Sequence, residues 1–387
     1  MNILVINAGS TTIKFKLFEN EADQLTPSIS GIIDKKHYAC TFKLHKALDE
    51  DYEWEISEKE YNLAAELILK ELKGIQINKV GFRIVHGGEK YIKSTLLTPE
   101  VIKDLQELNE LAPLHNPPAL EKVKDFRLLL PNTPFYGIFD TAFHSSMPPK
   151  AYIYALPYEY YEKDKVRRYG FHGISHKYIA TEIHKLEPST EKIISCHLGG
   201  GASITAIKHG TSIDTSMGFT PMEGLVMATR PGDLDDGALQ YLAKKHNLTL
   251  DQWNEIANQK SGLLGVSGVT SDMRKLLHLE ADGNERAHLA IEMYVYRVQK
   301  YIGAYASALS GVDVLVFTAG VGAGSDVIRK RICEPLHYLK IFIDDSLNKG
   351  RVNVAENILI STRHSLPVWV VPTDEELQIA RELALMR

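Results

Sequence analysis

Two short turns rich in small residues, NAGSTTIK at residues 7–14 and HLGGGASIT at residues 197–205, are the parts of this 387-residue chain best suited to grip a phosphate. Each follows an apolar run, residues 3–6 and 193–196, and absent or short side chains let backbone N–H groups converge on an anion. Hydroxyls follow at once: Ser10, Thr11 and Thr12 in the first turn, Ser203 and Thr205 in the second. Beyond the first turn, Ile13, Phe15 and Leu17 alternate with Lys14 and Lys16. That period of two predicts a strand, so the turn belongs to a β-hairpin and not to the strand-to-helix loop of a Walker-type motif. The recurrence of one device half a chain apart predicts an internal duplication.

Two arginines sit among residues that would normally exclude them. Arg83 lies in FRIVHGG between apolar neighbours, and Arg230 lies in DTSMGFTPMEGLVMATRPGD, too rich in glycine and proline to be one regular element. A guanidinium in such a setting needs an anionic partner, and its planar fork fits carboxylate or phosphoryl oxygens, so each arginine is either a structural ion pair or a ligand grip. Histidines recur in similar settings: His86, His115, His144, His172, His176 and His197. The His172/His176 spacing would suit a metal pair, but Gly173 interrupts the helix and the glutamate of a zincin is missing, which argues against zinc. Serine, histidine and aspartate are all present, yet without a GxSxG elbow a serine hydrolase reading is weak.

The elements that must position these groups read as α/β. Strand-like runs end in polar or glycine-bearing turns (NILVINAG, VGFRIVHGG, FYGIFDTAF, KIISCHLGGG, DVLVFTAGVGAG, VWVVPTDEE), with helical patterns between them at residues 58–72 and 117–130, the latter with Asn116 placed as N-cap. In such sheets ligands gather at the carboxyl ends of strands, where Asp140 and His197 fall. Residues 284–309 predict a long helix apolar on most faces, as for a core or subunit interface. Thr373 and Glu376 form the spacing of a capping box, which would occupy Glu376 and leave Glu375 to face a ligand. A net charge of -5 argues against a nucleic-acid surface, and three dispersed cysteines suit a reducing compartment. No run of eighteen apolar residues and no basic leader is seen, so the expected place is the cytoplasm, away from membranes.

Taken in order, NAGSTTIK, RIVHGGE, LAPLHNPP, FDTAFH, RRYGFHGISH, HLGGGAS, the Arg230 segment, SDMR, FTAGVG and PTDEE make the chain resemble the acetate and propionate kinase family, within the actin, sugar kinase and heat-shock chaperone ATPase superfamily. The resemblance runs nearly end to end. It implies two similar actin-like (ribonuclease H-like) domains, mixed sheets flanked by helices, with a cleft between them. The first would span 1–141 plus 376–387, and the second, at 142–375, would bind nucleotide and form a homodimer. It also implies reversible phosphoryl transfer from ATP to acetate with Mg²⁺, or Mn²⁺ in its place. By family position Arg83, Asp140, His172 and Arg230 would be catalytic, and Arg83, Val85, Leu114, Phe171 and Pro221 would bind the acid. Asn7, Ser10, Thr12, Lys14, His197, Gly199, Gly200, Gly201, Asp272, Met273, Arg274, Gly320, Gly322 and Gly324 would bind nucleotide, with Asn7 and Glu375 at the metal. Since an acetate carboxylate is already ionised, it needs no general base, and neutralising the meeting of two anions must dominate catalysis.

The chain departs from the family's usual pattern in four places. Gly200 stands where HLGNGAS has asparagine, Ala323 and Gly324 where FTGGIGENS has glutamate and asparagine, Pro231 where serine follows the arginine, and Asp236 where a proline is common. These leave the donor less specified than the acceptor. Propionate is the nearest alternative acceptor, because one methylene changes binding by only about 1–3 kcal/mol. A dinucleotide-binding fold around AGVGAGS is a second class, disfavoured by its GxGxG spacing, and a catalytically silent nucleotide switch is a third, opposed by the intact arginine pair.

Overall fold

The first strand is buried on both faces: β1 (Asn2–Ala8) carries Ile3, Leu4, Val5 and Ile6, all inaccessible to solvent, as expected of a central strand covered by helices. The computed structural model describes residues 1–9, 11–22, 24–36, 39–46, 50–110, 116–350 and 356–386. These pack as two units, Met1–Phe143 with Asp374–Arg387, and His144–Thr373.

In the first unit β1 turns back into β2 (Thr12–Glu21), antiparallel with Asn7 opposite Lys14, and Gly9 N–H donates to the Thr12 carbonyl at 2.8 Å to close the turn. The meander continues through β3 (Gln24–Lys36), β4 (Ala39–Lys46) and β5 (Glu50–Ile56). On the other side of β1 run β6 (Lys79–Ile84) and β8 (Phe135–Phe139), both parallel, with the short β7 (Thr95–Leu96) antiparallel at the edge. The order is β5-β4-β3-β2-β1-β6-β8-β7.

The second unit repeats this plan. Its strands are β9 (Lys192–Leu198), β10 (Ala202–Lys208), β11 (Thr211–Thr215), β12 (Val314–Thr318), β13 (Ile358–Leu359) and β14 (Val368–Val370), in the order β11-β10-β9-β12-β14-β13. The hairpin β9/β10 is antiparallel, β12 runs parallel beside β9 and β14 parallel beside β12, and β13 is the antiparallel edge. Strand for strand this matches β3-β2-β1-β6-β8-β7, so the duplication read from the two glycine turns is a duplication of whole sheets.

Helices cover both sheets. Helix Glu375–Leu385 lies so close on β6 that a Cβ at Gly81 would sit 2.7 Å from the Leu383 side chain. Three local expectations change. The helical pattern at 58–72 is two helices, Glu58–Asn62 and Ala64–Glu71, with Leu63 between them and exposed. Asn116 does not serve as an N-cap but is the first residue of helix Asn116–Leu129, and its side chain clamps the backbone of His86 at both N–H and C=O, 3.0 Å each. The last helix is capped by Asp374, which accepts from Leu377 N–H at 2.8 Å, and not by Thr373, because Lys16 on β2 holds Asp374 at 2.8 Å. Helix Glu285–Leu309 buries ten side chains and exposes Leu289, Met293 and Tyr296 on another face. No described helix is long and apolar enough to cross a membrane.

Candidate active site

In the first unit, parallel β6 and β8 deliver Arg83 and Asp140 to the same sheet edge. Arg83 Nε donates to Asp140 Oδ1 at 3.0 Å and Nη2 to Oδ2 at 2.6 Å, a two-pronged pairing that fixes the guanidinium plane. The remaining Nη1 donates to Asn7 Oδ1 at 3.2 Å and lies 3.8 Å from Glu375 Oε2. Burial works against the Arg83 charge, but Asp140 and Glu375 outweigh it, so its proton is held more tightly than usual. Glu375 is the odd partner. Burial, with repulsion from Asp140 and Glu376, overcomes the pull of Arg83 and Lys14 and pushes its carboxyl up to about 7.

Around this cluster, Lys14 is exposed on β2 and Thr12 donates to Asp34 Oδ1 at 2.7 Å. Val85 is half-buried just beyond β6. Ser10 and Leu114 lie outside the described residues, as does His115. The His86 imidazole accepts from Gly88 N–H at 3.0 Å, and burial lowers its pKa to about 4, so it is a neutral structural ring.

In the second unit, His197 ends near the tip of β9, and the turn closes when Gly199 N–H donates to the Gly201 carbonyl at 3.1 Å. His172 precedes helix Gly173–Leu186 in a left-handed conformation (φ 57°), and its ring stacks on His197 at 4.2 Å between centroids. A Cβ at Gly201 would sit 3.4 Å from His172 Nε2 and 3.9 Å from Arg230 Nη1. These two donors therefore face one small space above a glycine turn.

Backbone bonds on both sides hold the Arg230 loop. Ala228 N–H donates to the Gly200 carbonyl at 3.0 Å, Met227 N–H to the Arg230 carbonyl at 3.0 Å, and Leu263 N–H to the Met227 carbonyl at 2.9 Å. Gly262 (φ +60°) is required there, because a Cβ would meet the Met227 oxygen at 2.2 Å. Arg230 Nη1 donates to the Pro221 carbonyl at 3.1 Å, and the side chain has no ion pair among the described residues. Its pKa is lowered by burial. Burying a guanidinium without a carboxylate partner is costly, and its planar fork is able to take the oxygens of an anion. Phe171, almost wholly buried, accepts from His144 Nε2 at 3.0 Å through its carbonyl.

Next to the turn opens a cavity of about 500 Å³, a size suited to a nucleoside. Gly199, Gly200, Met273, Gly320, Val321 and Gly324 form walls, with Asp272 and Arg274 at one side. Asp272 caps helix Met273–Ala281 and pairs with Arg274 at 2.7 Å, and that bond holds its carboxyl down at about 2. Gly322 faces away from the cavity, 3.5 Å from the Cys196 carbonyl as judged from its missing Cβ, and lets helix Ala319–Gly324 lie against β9. Behind that helix stands Arg329, fully buried, a residue unremarkable in the basic run RKRIC. Its Nη1 donates to the Gly322 and Ala323 carbonyls (2.9 and 2.8 Å), and Nε and Nη2 to Asn348 Oδ1 and O (2.7 and 2.9 Å).

Comparison with known proteins adds an independent line. Residues 2–381 match the model described as the Acetokinase family. The chain is 46% identical to the acetate kinase of Halothermothrix orenii, over 99% of each chain. Among solved structures it is similar to Porphyromonas gingivalis acetate kinase, at 42% identity with a TM-score of 0.90 over 100% of both chains. It is also similar to a propionate kinase from Francisella tularensis subsp. tularensis SCHU S4, at 35% identity with a TM-score of 0.90 over 98% of both.

Proposed function

Because the chain belongs to the Acetokinase family, we propose that it transfers the γ-phosphoryl group of ATP to acetate, reversibly, giving acetyl phosphate and ADP. The observation that carries this reading is Arg230, half-buried without a carboxylate and facing the same space as His172, above a glycine turn that also walls the cavity. Phosphoryl transfer demands such positioned positive charge and hydrogen-bond donors far more than it demands a base. Arg230 and His172 would neutralise the equatorial oxygens of the moving PO₃ unit, the turn at Gly199, Gly200 and Gly201 would admit the donor phosphates, and the cavity by Asp272, Met273 and Arg274 would take the nucleoside. Arg83, held planar by Asp140, would grip the acetate carboxylate, and Val85, just beyond the same strand, would face its methyl group.

Oxygen donors suit a hard divalent cation, and since no group of three His, Cys, Asp or Glu side chains among the described residues could hold one alone, the donor phosphates would complete its shell. Glu375, a buried carboxylate short of positive charge, and Asn7 would hold Mg²⁺, which when bound supplies charge neutralisation to the phosphates. Helix Glu285–Leu309 exposes Leu289, Met293 and Tyr296 along one face, which supports a homodimer through this unit; sedimentation at the mass of one chain would overturn that part.

The test is a hydroxamate trap for acyl phosphate, crossing acetate, propionate and butyrate with ATP, GTP and pyrophosphate. Acetate with ATP should give the largest kcat/KM. Absence of acyl phosphate with every pair would overturn the proposal, and a higher kcat/KM for propionate would move the substrate by one methylene.

A further inference from the structure

A polar stripe runs through the apolar interior beneath the glycine turn of the second unit. In β9, Ser195 and His197 alternate with Ile194 and Cys196, and in β10, Ser203 and Thr205 alternate with Ile204 and Ala206. Ser203 is paired with His197 and Thr205 with Ser195, so the four share one face of the sheet. Helix Gly173–Leu186 lays Ser175 and His176 on that face, one turn after His172.

The contacts form a chain. Ser195 Oγ lies 2.9 Å from His176 Nδ1, His176 Nε2 lies 2.8 Å from Ser203 Oγ, and Ser203 Oγ lies 3.0 Å from His172 Nδ1. Ser195, His176 and Ser203 are fully buried. Burial, with His144 and His197 nearby, keeps the His176 ring neutral, with one N–H and one lone pair.

Counting hydrogens gives the chain a direction. If Ser195 donates to His176 Nδ1, then His176 Nε2–H donates to Ser203 and Ser203 donates to His172 Nδ1, so every hydrogen has an acceptor. In the opposite sense His176 Nδ1–H would donate to Ser195, whose own hydroxyl hydrogen would then have no acceptor, because His176 is its one side-chain partner among the described residues. A buried donor left unmet is what folded proteins avoid. The first direction leaves the His172 proton on Nε2, the nitrogen that faces the space over Gly201 beside Arg230.

We propose that Ser203, His176 and Ser195 are positioning residues that hold His172 as its neutral Nε2–H tautomer, a fixed hydrogen-bond donor to the transferring phosphoryl oxygens. The last clause rests on the function proposed above; the tautomer itself does not. A ring free to take the other tautomer would present a lone pair to a phosphate oxygen and repel it.

Long-range ¹H–¹⁵N correlation on the unliganded, ¹⁵N-histidine-labelled protein reads the tautomer directly, with His172 assigned by its loss in His172→Gln. The expected spectrum shows Nε2 as the protonated nitrogen. Ser203→Ala should mix the tautomers and lower kcat about tenfold or more, with KM for ATP and acetate within about twofold, since only a transition-state donor is impaired. Ser203→Thr keeps the hydroxyl and should keep both tautomer and kcat, and Ser195→Ala should shift the spectrum the same way by less. A wild-type His172 protonated on Nδ1, or a Ser203→Ala spectrum identical to wild type, would overturn the lock. A tautomer shift with unchanged kcat would leave the lock standing and overturn the donor role of His172.

Discussion

Replacing Glu375 by glutamine should make the protein without ligands more stable and the enzyme inactive. Arg83 gives Asp140 its two best-aligned donors and leaves Glu375 a single contact at 3.8 Å, so this carboxyl is buried beside another carboxylate with partial compensation. Its pKa rises from the usual 4.5 to about 7, chiefly through burial. At about 1.4 kcal/mol per unit, ionising it in the folded state costs on the order of 3 kcal/mol relative to the unfolded chain. The sign follows from proton binding: between 4.5 and about 7 the native protein holds the proton more tightly, so stability falls as pH rises through this window. Below 4.5 both states are protonated and the penalty vanishes; above about 7 it is complete. Urea unfolding of wild type and Glu375→Gln without metal should therefore show the variant ahead at pH 8 by about 1–3 kcal/mol, with the gap closing toward pH 4.5. Millimolar Mg²⁺ should raise the wild-type midpoint at pH 8 and leave the variant unmoved, because the ligand acts only where it binds the native state. A variant less stable than wild type at pH 8, or a gap that widens in acid, would refute the account of Glu375 as a carboxylate awaiting a cation.

Four further substitutions probe the second unit. Arg230→Ala should cost about 10³-fold or more in kcat while changing KM for ATP little, and should not lower the melting temperature, since a half-buried cation without an ion partner is removed; steady-state kinetics and calorimetry check both. Gly201→Ala should fold normally, because its Cβ would make ordinary contacts at 3.4 Å and beyond, yet fill the space shared by His172 and Arg230; acyl phosphate formation should fall at least tenfold, and unchanged turnover would exclude that space as the phosphoryl position. Gly200→Asn, whose Cβ would meet nothing within 4 Å, should instead be tolerated and lower KM for ATP, as steady-state kinetics would show. Arg329→Met should drop the melting temperature sharply, because the carbonyls of Gly322, Ala323 and Asn348 lose donors at about 1–3 kcal/mol each, and should raise KM for ATP as the helix beside the cavity loosens.

What could be read from the sequence was whatever local periodicity encodes. The alternation of Ile13, Phe15 and Leu17 announces a hairpin because side chains on a strand change faces at every residue, and the recurrence of a glycine turn after a second apolar run announces a second sheet. Arg83 and Asp140, 57 positions apart, could each be flagged as a polar residue at a strand end, but only the parallel pairing of β6 and β8 makes them partners. Where a distant residue competed for a local signal, the local reading failed. Thr373 with Glu376 has the spacing of a capping box, yet Lys16, 358 positions away, fixes Asp374 as the cap, and the Thr373 hydroxyl accepts from Ser175 at 2.9 Å. Asn116 precedes a proline as a cap would, but its amide is committed to the His86 backbone.

The histidines show the same limit from the other side. Their number stands out, and Ser203 reads as a hydroxyl after the glycine turn, but neither it nor Ser195 reads as a partner of a ring nitrogen, although the trace is present: SCH in β9 and SIT in β10 interrupt apolar strands with polar residues at a period of two. Polar residues on one face of strands otherwise fully buried must find partners there, because an unmet hydroxyl in an apolar core is costly. A helix opening with His172, Ser175 and His176 has the complementary spacing to supply them. Reading such stripes as pairs, a polar strand face with a polar helix face, would recover the network that single motifs conceal, since burial turns each hydroxyl and ring nitrogen into a demand that only one arrangement of hydrogens can meet.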